Sequence, residues 1–269
     1  MPKIHPSSIV DPQAKLAEDV EIGPWCMVRG AVQIGKGTRL LERVSLKGPL
    51  IIGERNVLYP NVSLGYEPQD WKFNLETTGA GTVIGDANLF REGVTVHRAT
   101  GANPTTIGHR NMFMVNSHAG HDVVVGNDCT LANGALLAGH VTLEDRVILG
   151  GGAAVHQFCR LGRMSMLGGG AVLVQDLPPF CLVITSRAVA GLNLVGLRRA
   201  GQRESITALH EAFTILYRQR LPVPRAIEIL EANTIVTCNP LGQELIAFVK
   251  ASKRGITSFI PSGRMMASE

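Results

Sequence analysis

Six of the eight histidines of this chain fall between His97 and His156. The group His118, His121, His140 and His156, with Gln157, carries the residue types that general-base chemistry needs. An unperturbed imidazole titrates near pH 6.5, so it takes a proton from a hydroxyl near neutrality. Such a base needs no protein nucleophile when the substrate supplies the attacking oxygen. No GxSxG elbow is present, and Cys26, Cys129 and Cys159 read as packing residues rather than activated thiols. Direct transfer between two substrates is therefore more economical than a covalent enzyme intermediate.

These residues are far apart in sequence, and what gathers them is a six-residue repeat. Aliphatic residues recur at Val10, Leu16, Ile22, Val28, Ile34, Leu40, Leu46, Ile52, Leu58 and Leu64, again at Ile84, Phe90 and Val96, and then from Ile107 to Leu173. Within the last run only Ala119 departs from a large apolar residue. A period of six fits neither a helix nor a long strand. It fits short strands joined by sharp corners, wound into a parallel β-helix, with three hexads per triangular coil and about eight coils stacked roughly 4.8 Å apart. Gly often follows the inward residue, as at Gly23, Gly53, Gly65 and Gly126, and is expected to ease the corners.

Coils of 18 residues place His121, Gly139, Gln157 and Gln175 in one column and Asp122, His140 and Phe158 in the next. The histidines therefore gather near one corner, with Gly139 beside His121, where a bare backbone N–H can meet an oxyanion. The spacing of His118 and His121 does not resemble that of the zinc-binding β-helix carbonic anhydrases, so no metal is expected. Two insertions, residues 66–83 and 99–106, break the frame and read as functional loops.

After Pro178 and Pro179 helical spacing takes over. Helices are expected at Leu192–Arg199, Glu204–Arg218, Pro224–Asn233 and Pro240–Lys253, and a loose tail from Thr257. The organisation is thus a β-helix domain over 1–186 and a helical domain over 187–269 that caps it. The chain has 269 residues, of which 45% are apolar and 18% charged, which excludes general disorder. Its five cysteines form no CxxC pair, and neither a secretory signal nor a spanning segment is visible, so a cytoplasmic protein without stable membrane insertion is expected. Residues 187–269 carry 11 Lys/Arg against 6 Asp/Glu. That suits an acidic partner, while no basic, aromatic-interleaved run suggests nucleic acid.

Asn116-Ser117-His118-Ala119-Gly120-His121-Asp122, Leu137-Ala138-Gly139-His140 and Ala154-Val155-His156-Gln157-Phe158 resemble the signature of the acyl-carrier-protein–UDP-N-acetylglucosamine O-acyltransferases. Gln69-Asp70-Trp71-Lys72, Val94–Arg98, Gln175–Pro179 and Gly191–Arg199 extend the resemblance over nearly the whole chain. It implies an all-β left-handed parallel β-helix with an α-helical C-terminal region, assembled as a homotrimer with active sites between subunits. It also implies the first step of lipid A synthesis, with acyl carrier protein as donor, UDP-N-acetylglucosamine as acceptor and no cofactor. His121 matches the base, Asp122 its acidic partner and Gly139 the oxyanion donor. Gln69, Asp70, Lys72 and His118 match substrate contacts, and His140, His156 and Gln157 match cleft residues near the donor and diphosphate. Asn193 and Arg199 match nucleotide contacts, and Gly169 falls where the family sets acyl length. The hexads begin at residue 10, leaving no room for the extra N-terminal domain of the related N-acyltransferase. Val195 and Ala200 depart from the common nucleotide-binding pattern. A 3-amino sugar acceptor, a coenzyme A-dependent acetyltransferase and a non-catalytic scaffold are the alternatives.

Overall fold

The protein, described here by a computed structural model over residues 1–185 and 187–259, is a left-handed parallel β-helix closed at one end by helices. Its strands are two to four residues long and fall into three sheets of eleven, nine and eight strands. The first sheet runs from Lys3–Ile4 through Leu58, Phe90 and Leu131 to Cys181–Val183, and an antiparallel strand, Val189–Leu192, finishes it. Ten parallel strands on that face make the solenoid taller than the expected eight coils, because Ile4 and Val183 extend it at both ends. The 18-residue register holds between Leu40 and Leu58. It stretches across the insertions, where Leu58 pairs with Phe90 and Phe90 with Phe113.

Each inward residue stacks on its equivalent in the next coil, and Leu46, Leu64, Val96, Ala119, Leu137 and Val155 are all buried. Burying one Leu or Phe in such a stack is worth roughly 1.5–3 kcal/mol. The small position of the hexad also holds Asn56, Asn88 and Asn111, which the repeat did not single out. Asn88 Nδ2 donates to Asn56 Oδ1 at 3.0 Å and to Gly108 O at 2.9 Å, and Asn88 Oδ1 accepts from the Asn111 N–H at 2.8 Å. This ladder satisfies buried backbone groups that the corners leave over.

The glycines serve a different purpose from the one expected. Of the four named above only Gly65 has positive φ, and the left-handed corner positions are filled mostly by other residues, among them Arg110, Asp122, Asp128, His140, Arg146 and Phe158. What demands glycine after the inward residue is the close approach of the next coil. A Cβ on Gly23 would lie 1.5 Å from Leu41 O.

The C-terminal region folds into α1 (Leu194–Arg199), α2 (Ile206–Phe213, continued by a π turn at Thr214–Arg218), α3 (Val223–Ala232), α4 (Thr234–Thr237) and α5 (Pro240–Lys250). The helix α4 was not expected, since four residues are too few to show a period. Helix α5 lies over the last coils, with Arg163 donating to Glu244 at 2.8 Å and Arg160 stacked over Phe248. The chain then returns to the solenoid. Thr257 is buried and donates its N–H to Asp176 O at 2.8 Å, so the expected loose tail is not loose at Thr257–Phe259. The remainder of that tail, 260–269, lies outside the described residues, as does residue 186 at the expected domain boundary.

Candidate active site

His121 and Asp122 form the corner between His118–Ala119 of the second sheet and Val124–Val125 of the third. Neighbours in an extended strand point apart. Here Asp122 adopts φ +58°, and the turn brings its Oδ2 to 2.7 Å from His121 Nδ1. The column arithmetic holds one coil further on. A Cβ on Gly139 would lie 2.6 Å from Nε2 and Cε1 of His121, so the imidazole rests directly on the glycine backbone. The Gly139 N–H donates to no acceptor among the described residues. His140 sets its ring edge-on to His121 at 5.1 Å and stacks on Phe158 at 4.5 Å.

Hydrogen bonding fixes the protonation pattern. Asp122 Oδ2 accepts from the Thr100 N–H at 3.0 Å and the Thr100 hydroxyl at 2.6 Å, and Oδ1 accepts from the Gly101 N–H at 3.1 Å. Burial raises the Asp122 carboxyl, but the hydrogen bonds from Thr100, His121 and Gly101 together hold it below the usual carboxylate range. An ionised carboxylate only accepts, so His121 Nδ1 carries the proton and Nε2 of the neutral ring is the basic nitrogen. His121, Asp122 and His140 are the one cluster among the described residues whose ligand atoms, all within 4.8 Å, suit a cation. The Asp122 oxygens there are already committed to four hydrogen bonds.

His118 is not part of this contact. Its Nδ1 meets Thr95 Oγ1 at 2.7 Å and its ring meets His97 edge-on at 5.3 Å. Burial, reinforced by His97 and His121, pushes His118 down to about 4, so it is neutral near pH 7. His97 in turn hydrogen-bonds Glu67 O. His156 turns to Arg254, whose Nη2 lies 3.4 Å from its Nδ1, and Gln157 is exposed beside it. Cys26, Cys129 and Cys159 are buried, and burial raises all three, Cys129 to about 12 and Cys159 to about 11, so none is a ready nucleophile.

Both insertions leave the solenoid at the His121 corner, since each links a second-sheet strand to a third-sheet strand. The first spans 67–81 and carries Gln69, Asp70 and Lys72 exposed to solvent, with Asp70 Oδ1 accepting from the Lys72 N–H at 2.9 Å. Its root is tied down by Glu67, which pairs with Lys47 and with the buried Arg98. Arg98 also donates to Thr77 O at 3.0 Å and faces the Phe73 ring. The second insertion delivers Thr100 and Gly101 to Asp122. The break in the hexad frame marks that loop, but nothing in the pattern singles out Thr100.

Three of the expected site residues lie elsewhere on the prism. Gly169 is exposed on the column of Gly151, at the corner between the first and second sheets. Asn193 and Arg199 line a cleft of about 600 Å³ between α1 and the first sheet, together with Arg146, Met166, Val195 and Ala200. Asn193 is buried there. It caps α1 by accepting from the Gly196 N–H at 2.9 Å and donates to Met164 O at 2.9 Å, so its amide is already engaged within the chain. A single chain therefore does not bring Gly169, Asn193 and Arg199 to His121.

This architecture, hexapeptide coils with an imidazole–carboxylate corner, two loops at that corner and a helical cap, defines the chain as a hexapeptide-repeat β-helix protein. The family profile described as UDP N-acetylglucosamine O-acyltransferase, domain 2, matches residues 176–257. The acyl-[acyl-carrier-protein]–UDP-N-acetylglucosamine O-acyltransferase of Stutzerimonas stutzeri is 41% identical over 96% of this chain and 100% of its own length. That of Ectopseudomonas mendocina is 43% identical over the same shares. The solved UDP-N-acetylglucosamine O-acyltransferase of Moraxella catarrhalis superposes with a TM-score of 0.89 at 39% identity, over 94% of this chain and 99% of its own. The Francisella novicida enzyme gives 0.90 at 31% identity, over 99% of each. The chain belongs to the acyl-[acyl-carrier-protein]–UDP-N-acetylglucosamine O-acyltransferase family.

Proposed function

We propose that the protein transfers an (R)-3-hydroxyacyl group from acyl carrier protein to the 3-hydroxyl of UDP-N-acetylglucosamine, the entry to lipid A. The observation that carries this reading is the His121–Asp122 contact at 2.7 Å, with His121 seated on Gly139. Nε2 of His121 takes the proton of the sugar hydroxyl as its oxygen attacks the thioester carbonyl. The tetrahedral oxyanion accepts a hydrogen bond from the Gly139 N–H. When the C–S bond breaks, the departing thiolate recovers the proton from Nε2. No protein nucleophile is required, in keeping with the buried thiols.

Asp70 and Lys72 reach the sugar and acyl groups from the first loop, Gln69 and His118 make further substrate contacts, and His140, His156 and Gln157 line the cleft near the donor and the diphosphate. Arg199 meets the nucleotide from α1, which Asn193 caps, and Gly169 leaves room for the acyl chain. Gly169, Asn193 and Arg199 lie away from the His121 corner, so the site is completed between copies in a homotrimer, in which a second chain turns another part of its surface toward His121. Arg198, Arg199 and Arg203 of the basic C-terminal region steer the acidic carrier protein.

The test is turnover of UDP-N-acetylglucosamine with a ladder of (R)-3-hydroxyacyl carrier proteins, beside His121→Ala. Loss of at least about 10²-fold in the variant supports the base. Undiminished turnover by a folded His121→Ala would sink it. Turnover only with a 3-amino sugar nucleotide, or only with acetyl-coenzyme A, would reassign the acceptor or the donor.

A further inference from the structure

We propose that Thr100 is a positioning residue that commits the Asp122 carboxylate to His121 rather than to His140. This rests on the reading of His121 as the base. Asp122 Oδ2 has two imidazoles within reach, His121 Nδ1 at 2.7 Å and His140 Nε2 at 3.7 Å. A small rotation of the carboxylate exchanges one for the other. Partnership with His140 would leave Nδ1 of His121 without an acceptor and its tautomer unspecified, and a base with the proton on the wrong nitrogen does not work.

Three donors oppose that rotation, and all come from the second insertion. The Thr100 hydroxyl and N–H converge on Oδ2 at 2.6 and 3.0 Å, and the Gly101 N–H holds Oδ1 at 3.1 Å. The loop that carries them is itself closed beside Asp122. The N–H groups of Ala99 and Thr105 both donate to Gly81 O, at 3.2 and 3.1 Å, and Thr105 Oγ1 accepts from the Asp122 N–H at 2.8 Å. Thr105 is buried and Asp122 is 10% exposed, so little water competes at this corner. Of the three donors, the hydroxyl alone comes from a side chain. It makes the shortest of these contacts, and a hydrogen bond to an ionised acceptor is among the stronger ones. The insertion thus has a chemical purpose beyond lengthening a coil: it brings a hydroxyl to a carboxylate that would otherwise have a choice of partners.

The experiment is a double-mutant cycle on the full chain with carrier-protein donor and UDP-N-acetylglucosamine. Thr100→Val should lower kcat about tenfold, the scale of one lost charge-assisted hydrogen bond, with KM for both substrates within about twofold. Thr100→Ser, which keeps the hydroxyl, should recover most of that loss. Thr100→Ala, run beside it, should repeat the Val result, so that a packing fault of valine is not mistaken for the effect. In an Asp122→Asn background, Thr100→Val should cost no further rate, because its target has gone. Full additivity of the two losses overturns the proposal, as does a Thr100→Ser variant as slow as Thr100→Val. If His121→Ala or Asp122→Asn leaves the rate intact, the reading of the base falls, and the proposal with it; additive losses with both of those variants impaired overturn the proposal alone.

Discussion

His121 and Asp122 are adjacent in the chain, yet their side chains meet at 2.7 Å because Asp122 sits in the left-handed region at φ +58°. A residue there without glycine's freedom carries a conformational cost of order 1 kcal/mol. Asp tolerates the conformation better than most side chains. The corner therefore does two jobs: it turns the chain from one sheet to the next and folds a carboxylate back onto the imidazole before it.

Asp122→Asn tests that contact. An amide cannot accept from Thr100 and His121 with the same charge, and its NH₂ favours the His121 tautomer with the proton on Nε2. The expected loss in kcat is on the order of 10²-fold or more, with the fold kept but the melting temperature lowered, because the NH₂ faces a donor where an oxygen accepted; steady-state kinetics and a thermal melt read the two effects. A rate near that of the unaltered enzyme would show that His121 works without its carboxylate.

Gly139→Ala tests the seat of the imidazole. The new methyl would lie 2.6 Å from His121 Nε2 and Cε1, so the ring must swing away. Because the obstruction is the end of a side chain, the fold should survive. Turnover should fall about 10²-fold while circular dichroism stays unchanged. Unaltered turnover would separate Gly139 from the reaction.

The half-buried His118 makes stability depend on pH. Its folded pKa is lowered to about 4 from the ordinary 6.5, so the unfolded chain binds the proton more readily between these values. The contribution is therefore present above about pH 6.5 and is lost as pH falls toward 4. His97, also lowered by burial, acts in the same direction. Thermal melts from pH 7 to 4 should show a falling midpoint, and His118→Gln should flatten that fall without abolishing it. An equally steep fall in the variant would assign the dependence to other groups.

Arg98 tests the anchoring of the first loop. Its side chain is only 4% exposed and joins Glu67, Thr77 O and the Phe73 ring. Arg98→Met leaves Glu67 with Lys47 alone and frees Thr77 O. Breaking one side of a buried pair costs about 3–5 kcal/mol in general; Lys47 retains part of this pairing, so a smaller loss is expected. Limited proteolysis should cut within 67–81 sooner, and KM should rise more than kcat falls, since Asp70 and Lys72 ride on that loop. Unchanged proteolysis and KM would show that the loop is held by its own turns.

The hexad period by itself specified the inward residue of nearly every strand from Val10 to Leu173, and with it the columns that put Gly139 beside His121 and Phe158 beside His140. That was legible because every coil obeys one local rule: an aliphatic residue every sixth position must be buried, and stacking then follows from a constant coil length. The sequence also marked both insertions, since they interrupt the rule, and four of the five α-helices among the described residues. It did not disclose the Asp122 turn, the neutral His118–His97 pair, or Thr100 and Arg98 as the groups that hold a carboxylate and a loop. Those depend on where irregular segments land, and no period governs them. Nor did it show that Asn193 spends its amide capping α1, or that Asn193 and Arg199 line a cleft away from the His121 corner. The column arithmetic relates residues along one edge of the prism; which edges face one another is decided only by the packing of the folded chain.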